Sequence, residues 1–235
     1  MKKFLHGVFY VVGTLIICFV VMMVVSIIST NTQEATYVAA MTQYRDAFIA
    51  DEVDFSVINE LAEKTYSDGK YGLVEKASKD YIYDIFMPYF MAQTTEEEAV
   101  FKNGITKELI EEEQPDFKKS LEAITEMRKY LAIIKEAANT LFSREEAFKY
   151  LAGYIGDYYE ELFEEQVAEL YEDQEMKQDY LNYVASMQKK CDAYAEVINF
   201  LKSNNGSWHL DGDVVVFKTT WLTNQYNQLL EKISQ

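Results

Sequence analysis

The distribution of apolar and polar positions divides the chain into one long apolar run and a series of amphipathic helical stripes. The run, residues 4–28, reads FLHGVFYVVGTLIICFVVMMVVSII and carries no formal charge. At about 1.5 Å per residue a helix of this length reaches roughly 37 Å, against a hydrocarbon core of about 30 Å. Because a helix satisfies its own backbone polar groups in lipid, the run predicts a single transmembrane helix.

The residues that flank this run predict its orientation. Lys2 and Lys3 precede it, and no Lys or Arg follows before Arg45. Basic residues favour the cytoplasmic side, so we expect residues 1–3 in the cytoplasm and residues 29–235 outside it. A cleaved secretory signal is the alternative, but its apolar core has only about 7 to 15 residues and ends at a small-x-small site. The sequence therefore favours an uncleaved signal-anchor in the cell membrane.

Downstream, apolar residues recur at intervals of three and four, which indicates amphipathic helices packed as a bundle. Pro88 should kink or end one of these helices. Ser143 opens a capping box and predicts a new helix, in which Gly153 and Gly156 would mark a close helix–helix contact. The polar stretch 172–179 interrupts the pattern and predicts a solvent-exposed corner or an exposed helical turn.

The most regular stripe alternates intervals of four and three, and we interpret it as a candidate register seam. Its residues are Tyr180, Val184, Met187, Cys191, Tyr194 and Ile198. Three heptads are too few to establish a long coiled coil, and packing within a bundle explains the spacing equally well. The stripe is also compatible with an oligomer.

Near the C-terminus the period of the pattern changes from helical to extended. Residues 208–210 and 214–217 flank Asp211-Gly212, which predicts a hairpin over about residues 207–217, followed by a helix over about 220–233. An isolated hairpin is marginally stable, so this one should lie against the helices. The predicted fold is mainly α: an N-terminal transmembrane helix, then an extracytoplasmic kinked helical bundle with one small β-hairpin.

Charge and cysteine content narrow the class of partner. The chain carries a formal charge of −17, and without Lys2 and Lys3 the charge becomes −19. Such an acidic body disfavours nucleic acid and close docking onto an anionic lipid surface. Its two cysteines, Cys18 in the span and Cys191 beyond it, cannot pair if the span is inserted. The chain is therefore not a disulfide scaffold.

Candidate chemistry is sparse. His6 lies near the cytoplasmic end of the predicted span, and His209 lies on the opposite side of the membrane. The sequence has no phosphate-binding, dinucleotide-binding or nucleophile-elbow motif. The glutamates of residues 160–173 are typical of a solvated helical face. We assign no catalytic, metal-binding or cofactor-binding residue, and we expect the protein not to be an enzyme.

The segment 81–91 (YIYDIFMPYFM) is the most apolar run outside the predicted membrane span. It predicts either a helix buried in the core or an exposed patch that faces a partner or ligand. The candidate residues of such a patch are Tyr81, Phe86, Tyr89 and Phe90.

These observations support two main hypotheses for function. The first is a non-catalytic interaction module that serves as subunit, adaptor or inhibitor of an envelope or surface protein assembly. The second is a helical domain that binds a small molecule or lipid and acts with a separate signalling or transport partner. An enzyme that uses paired acids is a weaker third hypothesis.

Overall fold

The architecture is mainly helical in the computed structural model, which describes residues 29–48 and 53–233. The first helix, α1, is described over residues 29–48. The other α-helices are α2 (Phe55–Glu63), α3 (Gly69–Glu96), α4 (Ala99–Lys102), α5 (Lys107–Glu113), α6 (Lys118–Thr140), α7 (Arg144–Phe148), α8 (Asp157–Glu172), α9 (Gln174–Ser203) and α10 (Thr220–Ile233). The strands are β1 (Trp208–Asp211) and β2 (Val214–Phe217). The predicted helical bundle with a small hairpin near its C-terminus is confirmed.

The predicted transmembrane helix, residues 4–28, lies outside the described residues. Within residues 29–48 and 53–233, no helix combines the length and the apolar character needed to cross a bilayer.

Several helices begin where a side chain accepts a hydrogen bond from a free backbone N–H group. Asp54 accepts from the N–H groups of Ser56 and Val57 at the start of α2, and Thr106 accepts from the N–H group of Leu109 in α5. Such caps satisfy donors that the first helical turn leaves unpaired. The polar residues between the apolar stripes thus set where the helices start.

The prediction of a continuous helix after Ser143 was wrong. The Ser143 hydroxyl accepts from the N–H group of Glu146, and α7 begins there, but it ends at Phe148 and a 3-10 turn follows. Gly153 and Gly156 have φ angles of +114° and +113°, a conformation that glycine adopts far more readily than other residues. They form the break before α8 and do not mark a helix–helix contact.

Pro88 lies inside α3, which continues past it to Glu96. The proline therefore does not end this helix. Because α3 is continuous through Pro88, the side chains of Phe86, Tyr89 and Phe90 all project from one helix.

The chain forms two compact units. Among the described residues, the first contains 29–48, 53–81 and 148–167, and its core is rich in buried aromatic side chains, among them Tyr37, Tyr44 and Phe163. The Tyr37 hydroxyl donates to the Leu162 carbonyl oxygen at 3.1 Å, so even this fully buried hydroxyl has a partner. The Tyr37 ring can therefore be fully buried without leaving its hydroxyl unsatisfied.

The second unit contains the described residues 82–147 and 168–233, and α9 is its central helix. It packs against α6 and α10. The contacting face of α6 has apolar residues at intervals of three and four, all buried: Ile124, Met127, Leu131, Ile134 and Ala138. This matches the stripe that the sequence predicts for a bundle helix.

The hairpin belongs to the second unit and packs against its helices. Asp211 pairs with Val214, so the turn is Gly212–Asp213, one residue later than the Asp-Gly pair suggests. Gly212 has a φ angle of +60°, as the tight hairpin turns require at their first position. The Trp208 indole N–H donates to the Leu201 carbonyl oxygen at 2.8 Å, which fixes the hairpin to the end of α9.

Candidate functional site

The best-defined candidate site is a pocket of about 440 Å³ in the second unit, formed by α3 and the start of α9. We call it the aromatic–acidic pocket. Its aromatic wall contains Phe86, Tyr89, Phe90 and Tyr180. Its remaining lining residues are Met176 and three acids, Asp173, Glu175 and Asp179.

Helical spacing explains how the sequence builds this wall. Phe86, Tyr89 and Phe90 lie three and four residues apart on α3 and therefore share one face. On α9, Met176 and Tyr180 have the same relation. Phe86, Tyr89 and Phe90 are each half-buried, so their rings are neither solvated freely nor enclosed in the core.

Ring packing holds Tyr89 in place. Its ring stacks on Tyr180 with a centroid separation of 5.2 Å and an interplanar angle of 12°. It also meets Tyr183 edge-on at 5.0 Å, and Phe142 meets Tyr180 edge-on at 6.0 Å. Aromatic pairs of this kind contribute about 0.5–1.5 kcal/mol beyond the area that they bury. The wall is thus a fixed surface of aromatic faces.

The acids occur where α9 begins. The Asp173 carboxylate caps the helix by accepting from the Met176 N–H group at 2.8 Å. Glu175 and Asp179 are exposed, lie one turn apart, and form no ion pair with any described residue. Lys177 lies between them in sequence, about half a turn away on the helix, and does not line the pocket. The residues that line the pocket therefore include three acids and no basic residue.

One polar atom of the wall has no partner. Only 5% of Tyr180 is exposed, and its hydroxyl makes no hydrogen bond to any described residue. Burial, with a smaller contribution from Tyr89, raises the pKa of Tyr180, so the hydroxyl stays protonated at neutral pH. By contrast, the Tyr183 hydroxyl donates to Glu96 Oε1 at 2.6 Å. A buried unpaired hydroxyl costs free energy, which makes Tyr180 the exception that needs an explanation.

Two other grooves of the second unit lack this combination of features. A groove of about 730 Å³ is lined mainly by charged residues of both signs, including Lys118, Lys129, Glu122 and Glu126. A groove of about 430 Å³ is bordered by lysines, including Lys189 and Lys232. Neither groove has an aromatic lining residue.

The first unit has a cluster of titratable groups of a different kind. Glu75 and Lys79 are buried together, and each makes further hydrogen bonds to backbone groups. Because both charges are paired and satisfied, the arrangement is typical of a structural ion pair. In the described parts of the chain, no group of His, Cys, Asp and Glu side chains could hold a metal ion.

The structure separates the residues of the predicted patch. Phe86, Tyr89 and Phe90 line the aromatic–acidic pocket. Tyr81 is fully buried in the first unit, where its ring meets Tyr150 edge-on at 5.3 Å. Tyr81 is therefore a core residue and not part of a surface. It lies about two turns before Tyr89 on α3, in the part of the helix that belongs to the core of the first unit.

The predicted seam residues are all buried on α9: Tyr180, Val184, Met187, Cys191, Tyr194 and Ile198. The chain's own helices α6 and α10 pack against α9. Burial raises the pKa of the Cys191 thiol to about 11, so this cysteine is a core residue with little thiolate.

Sequence reasoning missed the acids of the pocket. The sequence predicts a solvent-exposed corner or an exposed helical turn over residues 172–179, and the chain does turn at Asp173 between α8 and α9. What the pattern did not reveal is that this corner lies against the aromatic face of α3. Residues 86–90 and 173–180 are far apart in sequence, and no sequence pattern indicates that they contact each other in the fold.

Known proteins offer no comparison for this arrangement. No family model matches the chain, and no curated protein or solved structure is significantly similar to it. The site must therefore be interpreted from its own chemistry.

Proposed function

We propose that this chain is a membrane-anchored, extracytoplasmic helical interaction module. It acts as a non-catalytic subunit, adaptor or inhibitor of an envelope or surface protein assembly. Residues 4–28 hold it in the membrane as a single-pass anchor, and residues 29–235 lie outside the cytoplasm. The partner is a protein and not a nucleic acid, in keeping with the charge of −17.

The observation that carries this proposal is the aromatic–acidic pocket. Protein interfaces are enriched in aromatic residues at their centre and polar residues at their rim. Here the half-buried rings of Phe86, Tyr89 and Phe90 are bordered by exposed acids of α9. This arrangement suits recognition of a partner surface, because the rings supply apolar area and the acids supply orientation.

A second candidate function is binding of a small molecule or lipid together with a separate signalling or transport partner. The pocket volume of about 440 Å³ lies in the range of small-molecule sites, about 300–1,000 Å³. Such sites bury most of the ligand, however, whereas Glu175 and Asp179 are exposed. The geometry therefore favours a protein partner.

Affinity purification of the full-length protein from its native membranes distinguishes the interaction module from the small-molecule or lipid-binding domain. The protein is extracted in mild detergent and examined by mass spectrometry for proteins and small molecules. A stoichiometric protein partner that survives a high-salt wash is the expected result. A protein that emerges alone with a defined lipid or metabolite would instead support the second candidate.

A second experiment detects partners that would dissociate from the protein in detergent. Chemical crosslinking in intact membranes before extraction retains transient complexes. If no protein is crosslinked and none co-purifies, the interaction module proposal is wrong.

A further inference from the structure

We infer that the aromatic–acidic pocket binds an arginine side chain presented by a basic segment of the partner protein. This inference rests on the proposed function, since it names the chemistry that the interaction module recognises. It draws on two features of the pocket: its aromatic faces and its unpaired acids.

The aromatic faces favour a flat cation. A guanidinium group is planar and stacks on aromatic rings, and cation–π contacts contribute about 0.5–2 kcal/mol according to the degree of desolvation. Tyr89 and Phe90 are half-buried and lie side by side, with a centroid separation of 6.4 Å. They can cover both the carbon chain and the plane of an arginine side chain.

The acids favour a cation that carries several donors. Glu175 and Asp179 are one turn apart on α9, and neither pairs with a described basic residue. Arginine has five N–H donors in a fixed fork and can reach two carboxylates at once, whereas lysine is a compact point charge. Charge complementarity thus selects a basic occupant, and the number of acceptors selects arginine.

A polypeptide fits better than a free organic cation. Exposed ion pairs are each worth only about 0.2–1 kcal/mol, so a small cation alone would bind weakly to Glu175 and Asp179. Residues next to the arginine in a polypeptide can add apolar contacts with the wall at Phe86 and Phe90. The occupant that we infer is therefore an arginine within a protein segment that also has apolar residues.

The test uses the full-length chain in nanodiscs of neutral phosphatidylcholine and a fluorescent probe peptide, acetyl-Leu-Arg-Leu-Gly. Two further probes replace the arginine with citrulline, its neutral isostere, or with lysine. Fluorescence polarisation gives the three dissociation constants. We expect the arginine probe to bind roughly tenfold more tightly than the citrulline probe and more tightly than the lysine probe. Equal binding of arginine and citrulline, or tighter binding of lysine, would overturn the inference.

Matched variants separate the pocket from the general acidity of the chain. Glu175→Gln with Asp179→Asn removes two pocket charges, and Glu122→Gln with Glu126→Gln removes two exposed charges from the 730 Å³ groove. The first pair should reduce arginine binding roughly tenfold, and the second should change it less than about twofold. Similar losses in both would show that binding is non-specific, which contradicts the inference.

The native partner provides the last test and distinguishes this inference from the proposed function. A benzophenone amino acid at position 90 is photo-crosslinked in native membranes, with the exposed Trp221 position as control. We expect a crosslink from position 90 to a partner peptide that contains arginine. A partner that co-purifies but crosslinks only from position 221, or through a peptide without arginine, overturns the pocket inference and leaves the interaction module standing. Absence of any partner overturns both.

Discussion

Glu75 and Lys79 form a buried ion pair within α3, with Glu75 Oε1 2.6 Å from Lys79 Nζ and side-chain exposures of 0% and 1%. The Glu75 carboxylate also accepts from the backbone N–H groups of Tyr66 and Ser67. Lys79 Nζ donates to the Lys64 carbonyl oxygen and lies 4.9 Å from the Tyr66 ring centroid. The pair therefore ties the segment between α2 and α3 to the core of the first unit.

Removing one partner should destabilise the first unit strongly. Lys79→Met leaves the Glu75 carboxylate buried without a cation, for which we expect a loss of about 3–5 kcal/mol in the free energy of unfolding. Urea unfolding of the full-length protein in detergent micelles measures this loss. The control is Lys76→Met, which breaks an exposed pair of the same spacing with Asp80 and should cost less than about 1 kcal/mol. Equal losses in the two variants would show that burial does not decide the strength of the pair.

Gly72 makes the closest approach to this same segment. A Cβ atom at position 72 would lie 2.5 Å from the Ser67 carbonyl oxygen. Helix propensity alone predicts that Gly72→Ala stabilises α3 by about 1 kcal/mol. Since the Ser67 backbone is held by Glu75, we expect the clash to prevail and the variant to lose about 1–3 kcal/mol.

Thermal unfolding distinguishes these two effects at position 72. The neighbouring Leu73 is 55% exposed, so Leu73→Ala should change the stability by no more than about 0.5 kcal/mol. A Gly72→Ala variant that melts above the unaltered protein would show that Ser67 can move away.

The prediction of individual helices from the sequence succeeded where one element carries its own pattern. The capping serine at position 143 and the four-three spacing on α9 are local signals, and helices begin or run there. The break at Gly153 and Gly156 was missed because apolar residues on both sides continue a helical spacing, whereas the positive φ angles of the glycines are a backbone property. Spacing alone cannot show which conformation a glycine adopts.

The pocket was only partly predictable for a related reason. The aromatic face of α3 is visible in the sequence through Phe86, Tyr89 and Phe90. The acids on α9 looked like a solvated corner, because no pattern indicates which distant surface they face. The missing hydrogen bond of Tyr180 is likewise a tertiary property, since every tyrosine has the same hydroxyl. Sites assembled from separate elements require the fold before they can be identified.

Stability should fall in alkaline solution because of the buried tyrosines. Burial raises the pKa of Tyr226 to about 12, against about 10 in an unfolded chain. A raised pKa in the folded state contributes stability that is fully present below pH 10 and is lost as the pH rises from 10 toward 12. Thermal melts between pH 8 and 11.5 should show a loss that begins near pH 10. Tyr226→Phe should reduce its slope, and an unchanged slope in this variant would contradict the assignment.

Tyr180 and Tyr183 offer a matched pair in which removal of one hydroxyl should have opposite effects. Both lie on α9 and both rings contact Tyr89. The Tyr183 hydroxyl donates to Glu96, so Tyr183→Phe should cost about 1–2 kcal/mol in the free energy of unfolding. Tyr180→Phe removes an unpaired buried hydroxyl and should be neutral or stabilising by up to about 1 kcal/mol.

Urea unfolding of the two variants in detergent micelles measures both changes against the unaltered protein. Both side chains keep their rings and their contacts with Tyr89, so the difference between the two urea midpoints reports the hydroxyls alone. If Tyr180→Phe lowers the urea midpoint as much as Tyr183→Phe does, the Tyr180 hydroxyl has a partner within the folded chain and this expectation is wrong.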